Sequence, residues 1–200
     1  MARRSARSLW TAKLSGGLPA PSGGKSGRSA KSRASQATGT RGVRGVILGI
    51  DPSLRGTGLA VIDTRQEPFR LLASVTLKLP AKLTPVECLG RIADAVENLV
   101  RRHEVTEVGI EETIYVQNFR TAQAMGASRG AALSVLTRLG VKVGEYAPKR
   151  IKLAVAGHGA AAKEQVGRMI RANLGLTADL PLDESDAAAV ALCHAYTARG

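Results

Sequence analysis

Apolar residues fall along this chain in two rhythms, one short and strand-like, the other helical. From Val46 to Ile50 they are nearly continuous, with Val46, Ile47, Leu48 and Ile50 broken by one glycine, which predicts a strand buried on both faces. Pro52 ends ladder pairing, Gly56 and Gly58 let the backbone turn, and Leu59, Ala60, Val61 and Ile62 return as a second strand. Residues 69–79 alternate in part and stop at Pro80, predicting a third strand exposed on one face. Across 84–103 the period lengthens. Val86, Leu89, Ile92, Val96 and Val100 mark one helical face, Arg91, Asp94, Glu97 and Arg101 lie mostly off it, and Thr84-Pro85-Val86-Glu87 supplies a capping-box start.

The second half repeats these rhythms. Residues 105–110 form a short apolar strand closing on Glu111 and Glu112, followed by a helix bearing Ala122, Met125, Ala131, Ala132, Val135 and Leu136, small enough to approach a sheet closely. Residues 141–146 make the next strand. A short basic helix from Pro148 carries Lys149, Arg150 and Lys152 into the glycine loop at 157–159, a further helix over about 161–174 carries Lys163, Arg168 and Arg171, and an alanine-rich helix spans 183–198. The order β-β-β-α-β-α-β-α-α-α predicts an α/β domain: a five-stranded mixed sheet flanked by helices, its first three strands an antiparallel meander. No internal repeat is present.

Charge divides the chain unevenly. Residues 1–44 hold ten Lys and Arg and no acid, so most of the net +13 belongs to them, while the remaining 156 residues carry 19 basic and 16 acidic side chains. That leading segment is rich in Gly, Ser, Ala and Arg, has one Trp (Trp10) and lacks apolar periodicity, so a disordered tail is expected ahead of a folded domain at 45–200. It reads as a sequence-independent phosphate-binding arm, as an extension without a role, or as an organellar transit peptide. No apolar run approaches a membrane span and no secretory core is present. Cys88 and Cys193, each in apolar company on a helix, read as reduced core thiols, and a cytoplasmic location is expected.

Four acids then change the picture. Asp51 and Glu111 or Glu112 stand at the ends of two apolar strands, and Asp183 and Asp186 lie three apart in a helical first turn, able to point at one spot. Alone, the latter pair would read as helix capping and dipole complementarity. Converging at one sheet edge, however, four carboxylates would repel one another strongly unless divalent cations neutralised them. Oxygen ligands without a His or Cys cluster favour Mg²⁺ or Mn²⁺ over zinc, the arrangement used in two-metal phosphoryl chemistry.

Gly-Ile-Asp-Pro at 49–52 with Gly56-Thr57-Gly58, Gly109-Ile110-Glu111, Asn118, Ser128-Arg129-Gly130, Glu145-Tyr146-Ala147, Lys152, Lys163 and Asp183-x-x-Asp186 running on to Cys193-His194 together resemble the RuvC family of crossover-junction endodeoxyribonucleases, over roughly residues 45–196. The resemblance implies an RNase H-like fold and a homodimer that makes Mg²⁺-dependent symmetric nicks in a four-way DNA junction. It also implies a branch-migration motor (RuvA/RuvB-like) as partner. It places metal-ligand carboxylates at Asp51, Glu111, Asp183 and Asp186, and basic groups near the scissile phosphate at Lys152 and Lys163. By spacing alone, both lysines are solvated helix charges. Glu112 has no ligand counterpart.

Two positions depart from the family pattern. Ile114 stands where a junction-stacking aromatic is usual, with Tyr115 beside it as the alternative stacking group, and Ser53 replaces the usual first-turn Gly. Asn118, Arg120 and Arg129 are candidate DNA contacts, the two arginines equally readable as surface groups. His158 and His194 read as structural. Rival readings are half of an actin-like ATPase or sugar kinase, a catalytically silent DNA-binding module of the same fold, and a YqgF-like RNA-processing relative. About 150 residues are too few for the two domains of the first, four filled acid positions oppose the second, and the long register with Lys152 and Lys163 opposes the third.

Deleting residues 1–44 is expected to leave the chemistry intact and, if the segment is a DNA arm, to flatten the salt dependence of DNA binding. A filter-binding series across ionic strength checks this: an unchanged slope marks an extension without a role.

Overall fold

The computed structural model describes residues 42–113 and 118–198. The strands are β1 (Val46–Asp51), β2 (Gly56–Asp63), β3 (Arg70–Lys78), β4 (Glu107–Glu111) and β5 (Lys142–Tyr146). The helices are α1 (Pro85–His103), α2 (Phe119–Arg138), α3 (Pro148–Ala156), α4 (Lys163–Asn173) and α5 (Leu182–Thr197). The element order is the one the hydrophobic pattern predicts. The sheet runs β3-β2-β1-β4-β5, antiparallel through β3-β2-β1 and parallel through β1-β4-β5. The packed body begins before residue 45: Val43 is buried, and Arg44 bonds the Thr64 carbonyl and pairs with Glu67.

Strand alternation divides the core in two. Val46, Leu48 and Ile50 of β1, with Leu59, Val61, Val108 and Ile110, pack under α1 and α2. Ile47, Ala60 and Ile62 face the other way, into a core built with α3, α4 and α5. Gly49 and Asp51 share the parity of Ile47, as Glu111 shares that of Gly109, so both acids stand on the α5 face one step beyond a glycine.

α1 starts as its sequence predicts, with the Thr84 hydroxyl accepting from the Glu87 amide and the Glu87 carboxylate accepting from the Thr84 amide. Its buried face is Cys88, Ile92, Val96 and Val100, whereas Val86 is exposed, because the first residue of that stripe overhangs the core. α2 packs chiefly on α1 rather than closely on the sheet, burying Ser128, Ala132, Val135 and Leu136. Cys88 and Cys193 are buried and free of disulfides. No described helix is long and apolar enough to cross a membrane.

It is α5 that lies closest to the sheet. A Cβ placed on Gly49 would stand 2.0 Å from the Ala187 carbonyl oxygen and 2.7 Å from the Ala191 nitrogen, and one on Gly58 would stand 2.0 Å from the Asp183 carbonyl oxygen. Backbone meets backbone at these two positions, so glycine is required there to admit the helix. At Gly109 the approach is looser, 3.0 Å to the Val190 carbonyl oxygen.

Gly49→Ala is therefore expected to destabilise the protein by about 1–3 kcal/mol, because the helix must lift, and Gly109→Ala by less. Chemical denaturation of the two variants checks the order.

Candidate active site

Asp51 ends β1 at the register position paired with Gly58, and the turn beyond it is braced. Thr57 is fully buried and its hydroxyl donates to the Ser53 carbonyl while accepting the Ser53 amide. Arg55 donates to the carbonyls of Pro80 and Leu83, at 2.6 and 2.9 Å. Such a turn cannot swing the carboxylate away from the sheet end. Ser53 sits in ordinary backbone, since Glu104 is the positive-φ residue other than glycine among the described residues.

Glu111 ends β4, the parallel neighbour of β1, and lies on the same sheet face as Asp51. The two carboxyls act on each other, and the Asp51 charge helps push Glu111 up. Glu112, of opposite parity, is exposed. This separates the two glutamates that residue types left open.

α5 brings the other two acids. Its N-cap is Pro181, with no side-chain cap bond, so neither Asp183 nor Asp186 serves as the cap. Both carboxylates instead act on Asp51 electrostatically. Lys163, first residue of α4, reaches across with its Nζ 3.1 Å from Asp186 Oδ2. Lys152 of α3 joins Glu111, Lys163, Ser185 and Asp186 in lining a cleft of about 270 Å³.

The charges are under strain. Burial, then the charges of Asp186 and Asp183, push the Asp51 carboxyl up to about 6, against the opposing pull of Lys163. Burial, then Asp51 and Asp186, push Glu111 up to about 7. Lys163 is raised in turn, first by its bond to Asp186. Among the described residues no three Asp, Glu, His or Cys side chains close on one point as they stand. Glu111 and Asp186 line the cleft with the Lys163 ammonium, and Asp51 and Asp183 are coupled to them through their charges. The donor set fits a hard divalent cation: it is all oxygen, partly buried, and carries negative charge that a cation would stabilise.

The other expected contacts are spread more widely. Asn118 caps α2, accepting the amides of Arg120 and Thr121. Arg120 is exposed beside it. Arg129 is paired with Glu145 of β5. Tyr115 and Ile114 lie outside the described residues, as do residues 1–41. His158 bonds Gln165.

One group read as structural has partners that the sequence did not show, and one escaped the reading. His194, expected to be structural, is buried with definite partners, Nδ1 3.0 Å from the Tyr146 hydroxyl and Nε2 2.8 Å from Glu107. Glu107 shares the parity of Gly109 and Glu111, which was the available signal. Glu184, between the two acids of the first turn, points to β3, where it accepts from Ser74. Nothing in its local sequence marks it apart from Asp183.

Acids from the ends of two adjacent central strands and from a C-terminal helix, set over a β3-β2-β1-β4-β5 sheet, define the class: a nuclease of the RNase H-like fold. The family model described as "Crossover junction endodeoxyribonuclease RuvC" matches residues 47–194. A protein of that name from Halorhodospira halophila is 46% identical over 150 residues, covering 75% of this chain and 89% of that protein. One from Hyphomonas neptunium is 42% identical over 150 residues, covering 75% and 90%. The solved structure titled "T. thermophilus RuvC in complex with Holliday junction substrate" superposes with a TM-score of 0.74 at 36% identity, over 78% of this chain and 96% of that one. The chain belongs to the RuvC family of crossover junction endodeoxyribonucleases, a family of metal-dependent nucleases.

Because folding raises the pKa of Asp51 and Glu111, their ionisation opposes folding. In the metal-free protein their contribution to stability is fully present below the unfolded carboxylate range near 4 to 4.5 and is lost as pH rises through about 6 to 7. Thermal midpoints in chelator are expected to drop between pH 5 and 8, and Glu111→Gln is expected to remove much of the drop, on the order of 1–3 kcal/mol. Differential scanning fluorimetry across pH reads both.

Proposed function

We propose that this chain resolves four-way DNA junctions in recombination and repair, hydrolysing phosphodiesters by paired symmetric nicks. The observation that carries the reading is a set of electrostatically coupled carboxylates at one end of the sheet, Glu111 and Asp186 lining a cleft with Lys163, and Asp51 raised by the charges of Asp183 and Asp186. Its relatives at 46% and 42% identity are named for that activity.

In this reading Asp51, Glu111, Asp183 and Asp186 would hold two Mg²⁺ ions, for which Mn²⁺ would substitute. When bound, the ions supply Lewis acidity, making water nucleophilic at neutral pH and stabilising charge on the departing oxygen. The protein's own part is positional. The braced β1 turn and the Gly49 contact hold Asp51 and the α5 acids in fixed relation, so little reorganisation remains at the moment of reaction. To hold a cation, Asp51 and Glu111 would have to be ionised, against the burial that raises both. Lys163 then turns from Asp186 toward a non-bridging phosphate oxygen, and Lys152 flanks the same phosphate from the α3 side of the cleft.

Beyond the cleft, Arg120, Asn118 and Arg129 are proposed as backbone contacts, Arg129 exchanging Glu145 for a phosphate. Tyr115 is proposed to stack on a junction base. Two sites nicking symmetrically call for a homodimer, and a branch-migration motor of the RuvA/RuvB kind is the proposed source of the junction. The proposed setting is the cytoplasm.

The full chain should nick a synthetic mobile four-way junction at paired positions in Mg²⁺, spare a matched linear duplex, and stop in chelator. Asp51→Asn is expected to cut about 10³-fold more slowly or worse, the scale of losing some 4 kcal/mol of charge stabilisation, while binding the junction normally. Lys163→Ala should cost about 10²-fold. Tight binding by the wild-type chain without cutting would overturn the nuclease reading in favour of a silent junction-binding module, and Asp51→Asn cutting at the wild-type rate would overturn the metal assignment.

A further inference from the structure

The helix that carries two of the four acids rests on the sheet through a nearly featureless surface. Residues 187–195 of α5 are all buried, and six of those nine are alanine or cysteine. Against the glycines of β1 and β4, such a surface allows very close approach but discriminates weakly between rotations of the helix, because successive alanines present the same methyl group. Rotation matters here. One residue corresponds to about 100° around the axis, so a small turn of α5 carries Asp183 and Asp186 away from Asp51.

Polar contacts at the two ends supply what the alanines lack. At the C-terminal end, His194 is held between Glu107 of β4 and Tyr146 of β5. At the N-terminal end there is no side-chain cap. Among the described residues, the side chain of that first turn that bonds the sheet is Glu184. Its Oε2 accepts from the Ser74 hydroxyl, and its Oε1 lies 3.5 Å from the Thr76 hydroxyl, a long contact. Ser74 and Thr76 alternate on one face of edge strand β3, at the register positions of Ala60 and Gly58. Gly58 is the residue whose missing Cβ admits the Asp183 backbone. The bond therefore lies one strand away from the point where α5 touches β2.

We propose that Glu184 is a positioning residue for the nuclease site: clasped by Ser74 and Thr76 of β3, it fixes the rotation of the first turn of α5 and thereby presents Asp183 and Asp186 to Asp51. This rests on the metal-binding reading of the four acids given above. Glu184 itself does not line the cleft. The Glu184 clasp on β3 at one end of the helix and His194 between β4 and β5 at the other together set one angle.

The test is Mn²⁺ binding by the full chain, with free ion counted by electron paramagnetic resonance, without DNA and independently of cleavage. Glu184→Ala is expected to weaken Mn²⁺ binding about tenfold, the lower end of what supporting shells of metal sites contribute. Ser74→Ala combined with Thr76→Val opens the clasp from the other side and should weaken binding similarly, which keeps the test decisive if Glu184→Ala folds poorly. Glu184→Gln keeps a carbonyl oxygen for the Ser74 hydroxyl and should bind Mn²⁺ nearly as the wild type does. Equal binding by wild type, Glu184→Ala and the β3 double variant would overturn the proposal. So would a Glu184→Gln loss as large as that of Glu184→Ala, which would mean that charge acts rather than position. A lowered thermal midpoint with unchanged Mn²⁺ affinity would also overturn it, leaving a merely structural bond. Wild-type protein that neither takes up Mn²⁺ nor nicks a junction would instead overturn the metal reading itself.

Discussion

Everything at the active end of this molecule depends on how closely α5 can approach the sheet. At Gly49 the helix backbone occupies the space that any side chain would fill, with the Ala187 carbonyl 2.0 Å from where a Cβ would stand. Without that approach, Asp183 and Asp186 would be carried outward by the thickness of a side-chain layer. The pattern Gly-x-acid on two adjacent parallel strands, Gly49-Ile50-Asp51 and Gly109-Ile110-Glu111, expresses the same constraint twice. Period-two alternation puts glycine under the helix and the carboxylate just past it, while the intervening isoleucine secures the opposite face of the sheet.

The cost of the arrangement is electrostatic. Burial and mutual repulsion raise Asp51 to about 6 and Glu111 to about 7, so the site stores negative charge that the fold alone does not neutralise. Lys163 offsets part of it through Asp186. This is the expected signature of a site built for a cation, in which stability is given up locally for affinity. The strain is tolerated because the surroundings are overdetermined: a braced turn after β1, a two-layer core and a helix seated against backbone.

Two kinds of contact divide the labour of holding α5. Alanine and glycine set its distance from the sheet, and polar bonds at Glu184 and His194 set its angle. The distance contacts are non-directional and numerous, whereas the angular ones are few and directional. That division explains why an otherwise bland helix can present two carboxylates accurately.

The order and type of every element were legible in the chain, because strand and helix periods differ and Pro, Gly and capping residues mark the ends. The resemblance singles out four acids and two lysines, of which the structure brings Glu111, Asp186, Lys152 and Lys163 to one cleft, and parity on β4 would by itself have favoured Glu111 over Glu112. Local sequence could not separate Asp183, Glu184 and Asp186, three acids within one helical turn. Their roles depend on what each faces, and the partners lie far away: β1, Ser74 on β3 and Lys163 on α4. Nor could it show that Arg129 meets Glu145, or that His194 sits between Tyr146 and Glu107. Periodicity and composition are properties of neighbours along the chain, so the sequence determined which elements form and which face of each is buried. The distance and angle at which those faces meet are set by long-range packing, and only the tertiary structure decided them.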